Sequence, residues 1–332
     1  MKPANYPDLR VLIDKLEKRN KQQQATRVIV AGSMVLGLIA LVSPFLVRQT
    51  APAPVALQEE QHVVPPNAYE DIRLMGKAAI VYDLATREVL YEKNAKSQLP
   101  LASLTKLLTA YAGATALSDS SPVAISASAI SEEGESGLTE GETFAFKDAA
   151  KLALVASSND AAAAIAEAAA QTQSTSGKNL LASAITAIGL PQTYAVNGTG
   201  LDVSTTLSGG YGSAFDVAQL AGALLLKAPD LASATTHSSV TVRSLSGVSH
   251  TLKNTNQEVV HIPNLLLSKT GFTDLAGGNL AIIYDAGIGH PVAIVVLGST
   301  REGRFADVSE LLSKTGRHFA GVASAAQAVP AP

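Results

Sequence analysis

The feature that most constrains this chain is an uncharged, apolar run at residues 28–47, close to the N-terminus. A helix of about 20 residues is about 30 Å long, which matches the hydrocarbon thickness of a bilayer. The run therefore predicts one membrane-spanning helix. It also requires the longer remainder of the chain to fold as a separate part.

Basic residues are unevenly distributed around this run. Seven of them precede it, namely Lys2, Arg10, Lys15, Lys18, Arg19, Lys21 and Arg27. After Arg48 the next basic residue is Arg73. Because lysine and arginine concentrate on the cytoplasmic side, we expect a single-pass protein of the cell membrane with a cytoplasmic N-terminus and an extracytoplasmic folded part. The alternative is a cleaved signal peptide, whose apolar core and charged leader are usually shorter.

Composition narrows the function of the folded part. Hydrophobic residues make up 47% of the chain and charged residues 16%, which supports a buried core. The net charge of −3 gives no electrostatic basis for binding nucleic acid. There is no cysteine, which excludes disulfides, thiol nucleophiles and cysteine metal sites. Spacing alone leaves a zinc site or a Ser-His-Asp triad open, but the six histidines are scattered. We expect no metal and no cofactor.

Changes in composition divide the chain into five stretches. Prolines at positions 52, 54, 65 and 66 mark an extended linker, and the last residues are rich in alanine and proline. The predicted organisation is a basic cytoplasmic segment (1–27), a transmembrane signal-anchor (28–47), a proline-rich linker (48–69), a folded domain (70–322) and an Ala/Pro tail (323–332).

Hydrophobic periodicity predicts the order of elements within the folded domain. Strands are predicted at 78–82, 88–91, 240–243, 265–269, 280–284 and 292–297, with a hairpin turn at 83–87. Helices are predicted at 103–117, 146–156, 160–170, 178–188, 213–226 and 305–319, with Asp160 as a possible cap. The order favours an α/β fold in which a central antiparallel sheet, flanked by helices, is closed by the two ends of the domain around an all-helical insert.

Ser103 and Lys106 form the only S-x-x-K spacing in the chain. Residues three apart on a helix share a face, so a neutral lysine amine there could take the serine proton. Burial and a cationic neighbour would keep that amine neutral. The helix N-terminus would favour the negative charge that develops on the serine. Alone, this pair is weak, since an exposed helix start gives the same pattern.

Two further short motifs carry side chains suited to acyl transfer. Ser157 and Asn159 form the only S-x-N, between two predicted helices, where turn and cap chemistry is the ordinary interpretation. Lys269, Thr270 and Gly271 lie on the predicted strand that begins at residue 265 and runs on to Phe272, where glycine permits close approach of a substrate backbone. Leu-Leu-Ser-Lys-Thr-Gly occurs again at 311–316, but that copy lies in a predicted helix with no strands after it.

The ordered set of three motifs resembles the active-site motifs of penicillin-binding proteins and serine β-lactamases. The surrounding residues resemble the low-molecular-mass D-alanyl-D-alanine carboxypeptidases in particular. The similar stretches are 100–110, 158–162, 197–201 and 269–277, within a resemblance that covers residues 70–320. The resemblance implies a β-lactamase/transpeptidase-like fold and a serine-type D-Ala-D-Ala carboxypeptidase of the cell wall. It also implies a substrate, peptidoglycan stem peptides ending in D-Ala-D-Ala, and covalent inhibition by β-lactams.

The same resemblance implies a role for each motif residue. The catalytic residues would be the nucleophile Ser103, the general base Lys106 and the proton-transfer residue Ser157. The residues that bind the substrate would be Asn159, Lys269, Thr270, Gly271 and Arg304. The backbone N–H groups of Ser103 and Phe272 would form the oxyanion hole. Arg301 is close enough in sequence to compete with Arg304 for the substrate carboxylate.

Three alternatives to a carboxypeptidase remain at this point. The first is a DD-endopeptidase, which would cut cross-links with the same residues. The second is a β-lactamase, although no acidic residue between positions 159 and 269 lies in the E-x-x-L-N setting of a class A enzyme. The third is a non-catalytic wall-binding scaffold, against which the complete set of motif residues argues.

Overall fold

The fold is that of a computed structural model, which describes residues 67–134, 137–287 and 289–328, with side chains as far as residue 321. The predicted cytoplasmic segment, the membrane helix and most of the linker lie outside the described residues. Within the described part, none of the helices has the length and apolarity needed to cross a bilayer.

The described strands fall mainly into one sheet and a few short pairings. They are β1 (Ala78–Asp83), β2 (Val89–Lys93), β3 (Leu99–Pro100), β4 (Pro122–Ala124), β5 (Thr143–Ala145), β6 (Tyr194–Ala195), β7 (Gly210–Gly212), β8 (Ser239–Arg243), β9 (Ser249–Lys253), β10 (Leu265–Thr273), β11 (Gly277–Asp285) and β12 (Pro291–Ser299).

The described helices lie mostly between β3 and β8. They are a 3₁₀ turn (Ala102–Leu104), α1 (Thr105–Ala116), α2 (Ala127–Ile130), α3 (Phe146–Val155), α4 (Asn159–Thr172), α5 (Gly177–Ile188), α6 (Ala214–Lys227), α7 (Pro229–Ala234) and α8 (Gly303–Ala328).

The central sheet has five antiparallel strands in the order β10-β11-β12-β1-β2. Strand β1 therefore lies between its hairpin partner β2 and the late strand β12, with Ile80 opposite Val295. This arrangement confirms the predicted sheet that is closed by both ends of the domain. It places β10, which carries Lys269, Thr270 and Gly271, at one edge.

Two hydrophobic cores cover the two faces of this sheet. All six residues of β1 are buried, because alternate side chains enter opposite cores. One core joins Ile80 and Val295 to the helical region, including Leu107 of α1. The other joins Val81 to Leu311 of α8. The helical region and the sheet are thus packed together on the side where α1 begins.

The structure corrects several sequence-based details. Ser158, and not Asp160, caps α4, because its hydroxyl accepts from the Ala161 N–H. Strand β9 was not predicted, since its exposed and half-buried residues give no apolar run. Helix α8 continues to Ala328, into the predicted Ala/Pro tail. Tyr69, assigned to the linker, is buried beneath α8 and donates to Thr315.

Candidate active site

Ser103 and Lys106 lie at the start of α1 and are in direct contact. Ser103 belongs to the 3₁₀ turn that precedes the helix, and it follows Ala102, whose φ of 49° is left-handed. The Lys106 Nζ lies 2.8 Å from Ser103 Oγ. A left-handed alanine is a strained conformation of the kind that concentrates at active sites. Here the turn presents the serine oxygen to the lysine amine.

Two further oxygen atoms surround the same amine. Lys106 Nζ lies 2.7 Å from Asn159 Oδ1 and 2.8 Å from the carbonyl oxygen of Thr199. The Asn159 amide is held in turn, because its Nδ2 donates to the carbonyl of Glu133. Two distant parts of the chain, at Asn159 and Thr199, therefore meet the Ser103–Lys106 pair.

Burial sets the protonation of Lys106. The side chain is 0% exposed, and desolvation lowers its pKa to about 7. The negative charge of Glu132 acts in the opposite direction and raises this pKa. The sequence predicted burial and a cationic neighbour as the causes. Burial is confirmed, whereas Glu132, whose charge acts on Lys106, is an acid. A lysine with this pKa is available as a base at neutral pH.

The S-x-N motif lies in the turn between α3 and α4, as predicted. Ser157 has a φ of 62°, which is again left-handed and directs the residue out of the helical path. Its Oγ accepts a hydrogen bond from Lys269 Nζ at 2.9 Å. Lys269 is 1% exposed, and burial, with the charges of Lys106 and Arg304, holds its pKa well below the usual range. The bond links the helical wall of the cleft to the sheet edge.

Gly271 explains why the strand can approach the nucleophile so closely. A Cβ at this position would stand 2.9 Å from the Leu101 carbonyl oxygen and 3.2 Å from the Ser103 amide nitrogen. Any larger residue would push β10 away from the turn that carries Ser103. The glycine of the third motif therefore keeps the strand edge beside the serine.

The two candidate arginines occupy different environments. Arg304 is 8% exposed, and its Nη1 donates to the Gly271 carbonyl at 2.7 Å. Its Nε is buried and has no hydrogen-bond partner among the described residues. Arg301 is exposed and lies 3.8 Å from the ring centre of Phe272. Arg304 thus touches the motif strand itself, whereas Arg301 covers the residue that follows it.

Three contacts at the site were not predicted. The Thr199 carbonyl reaches Lys106, and a backbone atom has no signature in a sequence. Asn197 supports that carbonyl, because its Oδ1 accepts from Gly200 N–H at 2.7 Å and from the Thr199 hydroxyl at 3.1 Å. Thr255 meets the Thr270 hydroxyl at 2.6 Å. Only the stretch 197–201 carried a signal, through its resemblance to the carboxypeptidases.

The repeated Lys-Thr-Gly at residues 314–316 lies within α8, as expected from the helical pattern. Thr315 is fully buried and donates to the Leu311 carbonyl, so its hydroxyl is used inside the helix. Lys314 lies 3.7 Å from Glu310 on the same helix. This copy is part of the structural core and of the helix surface, and not of the cleft.

Comparison with known proteins gives one family and several relatives. A profile of the family described as D-alanyl-D-alanine carboxypeptidase matches residues 64–301. The D-alanyl-D-alanine carboxypeptidase DacF of Bacillus subtilis is 32% identical over 243 residues, which cover 71% of this chain and 61% of that protein. A D-alanyl-D-alanine endopeptidase of Pseudomonas aeruginosa is 30% identical over 287 residues, which cover 82% of this chain and 86% of the endopeptidase.

Solved structures resemble the same region of the chain. Penicillin-binding protein D2 from Listeria monocytogenes, in its ampicillin-bound form, superposes with a TM-score of 0.63 at 28% identity. The match covers 74% of this chain and 98% of that protein. The fold is therefore of the penicillin-binding type, with the sheet and helical region as described above.

Proposed function

We propose that this chain, which belongs to the D-alanyl-D-alanine carboxypeptidase family, hydrolyses the terminal D-Ala-D-Ala bond of peptidoglycan stem peptides through an acyl-enzyme on Ser103. Family membership supports the reaction class. The geometry around Lys106 supports the assignment of the nucleophile and the base.

The hydrogen bonds around Lys106 Nζ are the main support for this proposal. A neutral amine has two N–H groups and one lone pair, and Lys106 Nζ has three oxygen neighbours. The amide oxygen of Asn159 and the carbonyl oxygen of Thr199 are acceptors only, so each takes one N–H. The lone pair is then left for Ser103 Oγ, the one neighbour that can donate. Neutral Lys106 is thus oriented to take the serine proton.

Acylation then follows from the same residues. Ser103 Oγ attacks the carbonyl carbon of the penultimate D-Ala as its proton passes to Lys106, and the oxyanion accepts from the backbone N–H groups of Ser103 and Phe272. Collapse breaks the peptide bond. The proton reaches the leaving amine by way of Lys106 and Ser157, and D-Ala departs. Water then attacks the ester carbonyl and gives a proton to Lys106. Lys106 passes this proton to Ser103 Oγ as the ester bond breaks, which regenerates both residues and releases the shortened peptide.

Substrate binding completes the assignment. Asn159 holds the substrate amide, while Lys269, Thr270 and Arg304 supply the positive and hydrogen-bonding end of the cleft for the terminal carboxylate. The buried Nε of Arg304 has no hydrogen-bond partner among the described residues. This supports its role, since an anionic ligand would satisfy that N–H group. The relative from Listeria binds ampicillin, which supports the proposal that β-lactams acylate Ser103 here.

A DD-endopeptidase is the second candidate, and a specific observation favours it. The match to the Pseudomonas aeruginosa endopeptidase covers 86% of that protein, whereas the match to DacF covers 61% of DacF. The two activities use the same nucleophile and base and differ in the group that leaves. They must therefore be separated by substrate.

The test gives the protein a pentapeptide ending in D-Ala-D-Ala and, separately, a cross-linked peptide dimer. We expect release of free D-Ala from the pentapeptide, with loss of release in Ser103→Ala and in Lys106→Met. Thr315→Val, in the second Lys-Thr-Gly, is the matched control and should retain release. Cleavage of the dimer without release of D-Ala would replace the carboxypeptidase with the endopeptidase. Rapid turnover of a penicillin adduct would indicate a β-lactamase, and no reaction at all a scaffold.

We also propose that residues 28–47 anchor the protein in the cell membrane with its catalytic domain outside. The length of the apolar run and the excess of basic residues before it support this arrangement. We expect the protein to remain in the membrane fraction after an alkaline carbonate wash, and its domain to be digested by protease added to spheroplasts. Release by the wash would contradict the anchor.

A further inference from the structure

We propose that the Thr255 hydroxyl is a second direct ligand of the substrate's terminal carboxylate, beside the Thr270 hydroxyl. The inference rests on the proposed function and extends it, because it assigns to the cleft a binding residue outside the three motifs. Thr255 would make the protein selective for substrates with a free C-terminal carboxylate.

The first support is the position of the hydroxyl. Thr255 Oγ1 accepts a hydrogen bond from Thr270 Oγ1, with 2.6 Å between the oxygens. Thr255 follows the β8–β9 hairpin, and its backbone N–H donates to the Val155 carbonyl at 3.1 Å, two residues before Ser157. The hydroxyl therefore lies where the sheet edge, the hairpin and the S-x-N turn meet. The residue is partly exposed, whereas Thr270 is 4% exposed.

The second support is the weak hydrogen bond that the Thr255 hydroxyl donates. The Thr255 hydroxyl donates to the Val155 carbonyl over 3.5 Å, whereas O–H···O bonds are usually about 2.7–2.8 Å long. Its proton is therefore weakly held and can turn to a ligand at small cost. A carboxylate has two oxygen atoms with acceptor capacity for several donors. When the Thr270 proton turns from Thr255 Oγ1 to the ligand, the hydroxyls of Thr255 and Thr270 donate to the carboxylate together.

The third support is the distribution of charge around this pair. Lys269 Nζ donates to the Thr270 carbonyl at 2.9 Å, and Arg304 Nη1 donates to the Gly271 carbonyl at 2.7 Å. These donor atoms are thus engaged with the strand, and both side chains are almost fully buried. The Arg304 guanidinium makes the potential at the strand edge positive, while its Nη1 and the Lys269 Nζ remain bonded to the strand. An anionic ligand is attracted there, and the two threonine hydroxyls are donors that can contact it besides the Arg304 Nε.

A purely structural role for Thr255 makes a different prediction. In that case the hydroxyl would only join the hairpin end to β10, and its loss would weaken every substrate alike. The next residue, Asn256, already joins these parts, because its Nδ2 donates to Ser268 Oγ of β10 at 2.7 Å, and this bond does not depend on the Thr255 side chain. Selectivity between a carboxylate and its neutral counterpart therefore separates the two roles.

The experiment measures acylation of Ser103 by a penicillin and by its methyl ester, and release of D-Ala from the peptide acid and from its carboxamide. In Thr255→Val, which is nearly isosteric, we expect kcat/KM for both acids to fall about tenfold or more, mainly through KM. We expect the ester and the carboxamide to change less than about twofold. Thr255→Ser should restore the preference for the acids. Thr251→Val is the matched control, because it breaks an exposed hydroxyl pair with Thr241 on the same hairpin.

The outcomes separate this inference from the proposed function. Equal losses for acid and ester, or no loss for either, would overturn the role of Thr255 and leave the carboxypeptidase intact. A wild-type protein that neither releases D-Ala nor is acylated would overturn the proposed function, and the inference would fail with it. Selective loss for the acids with rescue by Thr255→Ser would establish the binding role.

Discussion

Lys106 sets the pH at which Ser103 can be acylated. Only the neutral amine has a lone pair for the serine proton, and burial lowers the pKa of Lys106 to about 7. We expect the second-order rate of acylation by a penicillin to rise about tenfold per pH unit below 7 and to level off above it. Rapid-mixing measurements with a fluorescent penicillin would check this. A rate that continued to rise towards the ordinary lysine pKa of 10.5 would contradict it.

A substitution at Glu132 tests how the charge of this residue acts on Lys106. Its negative charge favours the protonated amine and so raises the pKa of Lys106. In Glu132→Gln we expect the pKa of Lys106 to fall, which moves the acidic limb of the acylation profile to lower pH. Glu133→Gln is the matched control, because the exposed neighbour loses the same charge. If both variants shifted the limb equally, the specific coupling to Glu132 would be disproved.

Asn197 acts on Lys106 indirectly, without contacting the substrate or Ser103. Its side chain holds the loop that presents the Thr199 carbonyl to Lys106. In Asn197→Ala we expect acylation to slow by about 10- to 100-fold, since small misplacements of a reacting group carry costs of this size. The folded fraction, measured by circular dichroism, should be retained. The Asn179→Ala variant, which is changed at an exposed position, should be acylated at the wild-type rate. Acylation of Asn197→Ala at the wild-type rate would refute the positioning role of Asn197.

At the scale of elements, the sequence specified where helices and strands lie better than where they end. Helix α3 was predicted at 146–156 and spans Phe146–Val155, because its alanine-rich pattern and flanking turn are local signals. Strand β11 was predicted at 280–284 and spans Gly277–Asp285, because pairing with β10 extends it across two glycines that carry no apolar signal. Short pairings such as β3 with β7 depend on distant partners and had no local signal.

A buried carboxylate links helix α8 to the segment before β1 and to the end of β12. Asp307 accepts from the N–H groups of Met75 and Gly76 and from the Ser299 hydroxyl, at 2.7–2.9 Å. In Asp307→Asn an amide N–H₂ would face these donors, so we expect a loss of about 1–3 kcal/mol in the free energy of unfolding. Urea denaturation would measure it. Glu310→Gln on the same helix is the control; the Glu310 side chain is 47% exposed and lies 3.7 Å from Lys314 Nζ, so its loss of charge should change stability little.

The active site belongs to the whole domain, because no single part of the chain contains it. Ser157 and Asn159 come from the helical region, Lys269 from the sheet edge and Ser103 from the turn between them. One continuous core joins these parts, with Ile165 of α4 and Leu267 of β10 in the same cluster. The convergence was predictable from the order of the motifs. The single shared core was not, since it depends on which helix faces meet.

A shared core predicts that the cleft and the helices are lost together on heating. We expect the helical signal in circular dichroism, the near-ultraviolet signal of tyrosine and the capacity of Ser103 to be acylated to disappear with coincident midpoints. Acylation before heating should raise that midpoint, because the adduct contacts both walls of the cleft only in the native state. Ser103→Ala treated with the same penicillin should show no increase. If acylation were lost well below the helical transition, the Lys269–Ser157 bond and the Thr255–Val155 contact would be separable from the core, and the cleft would open as a local unit.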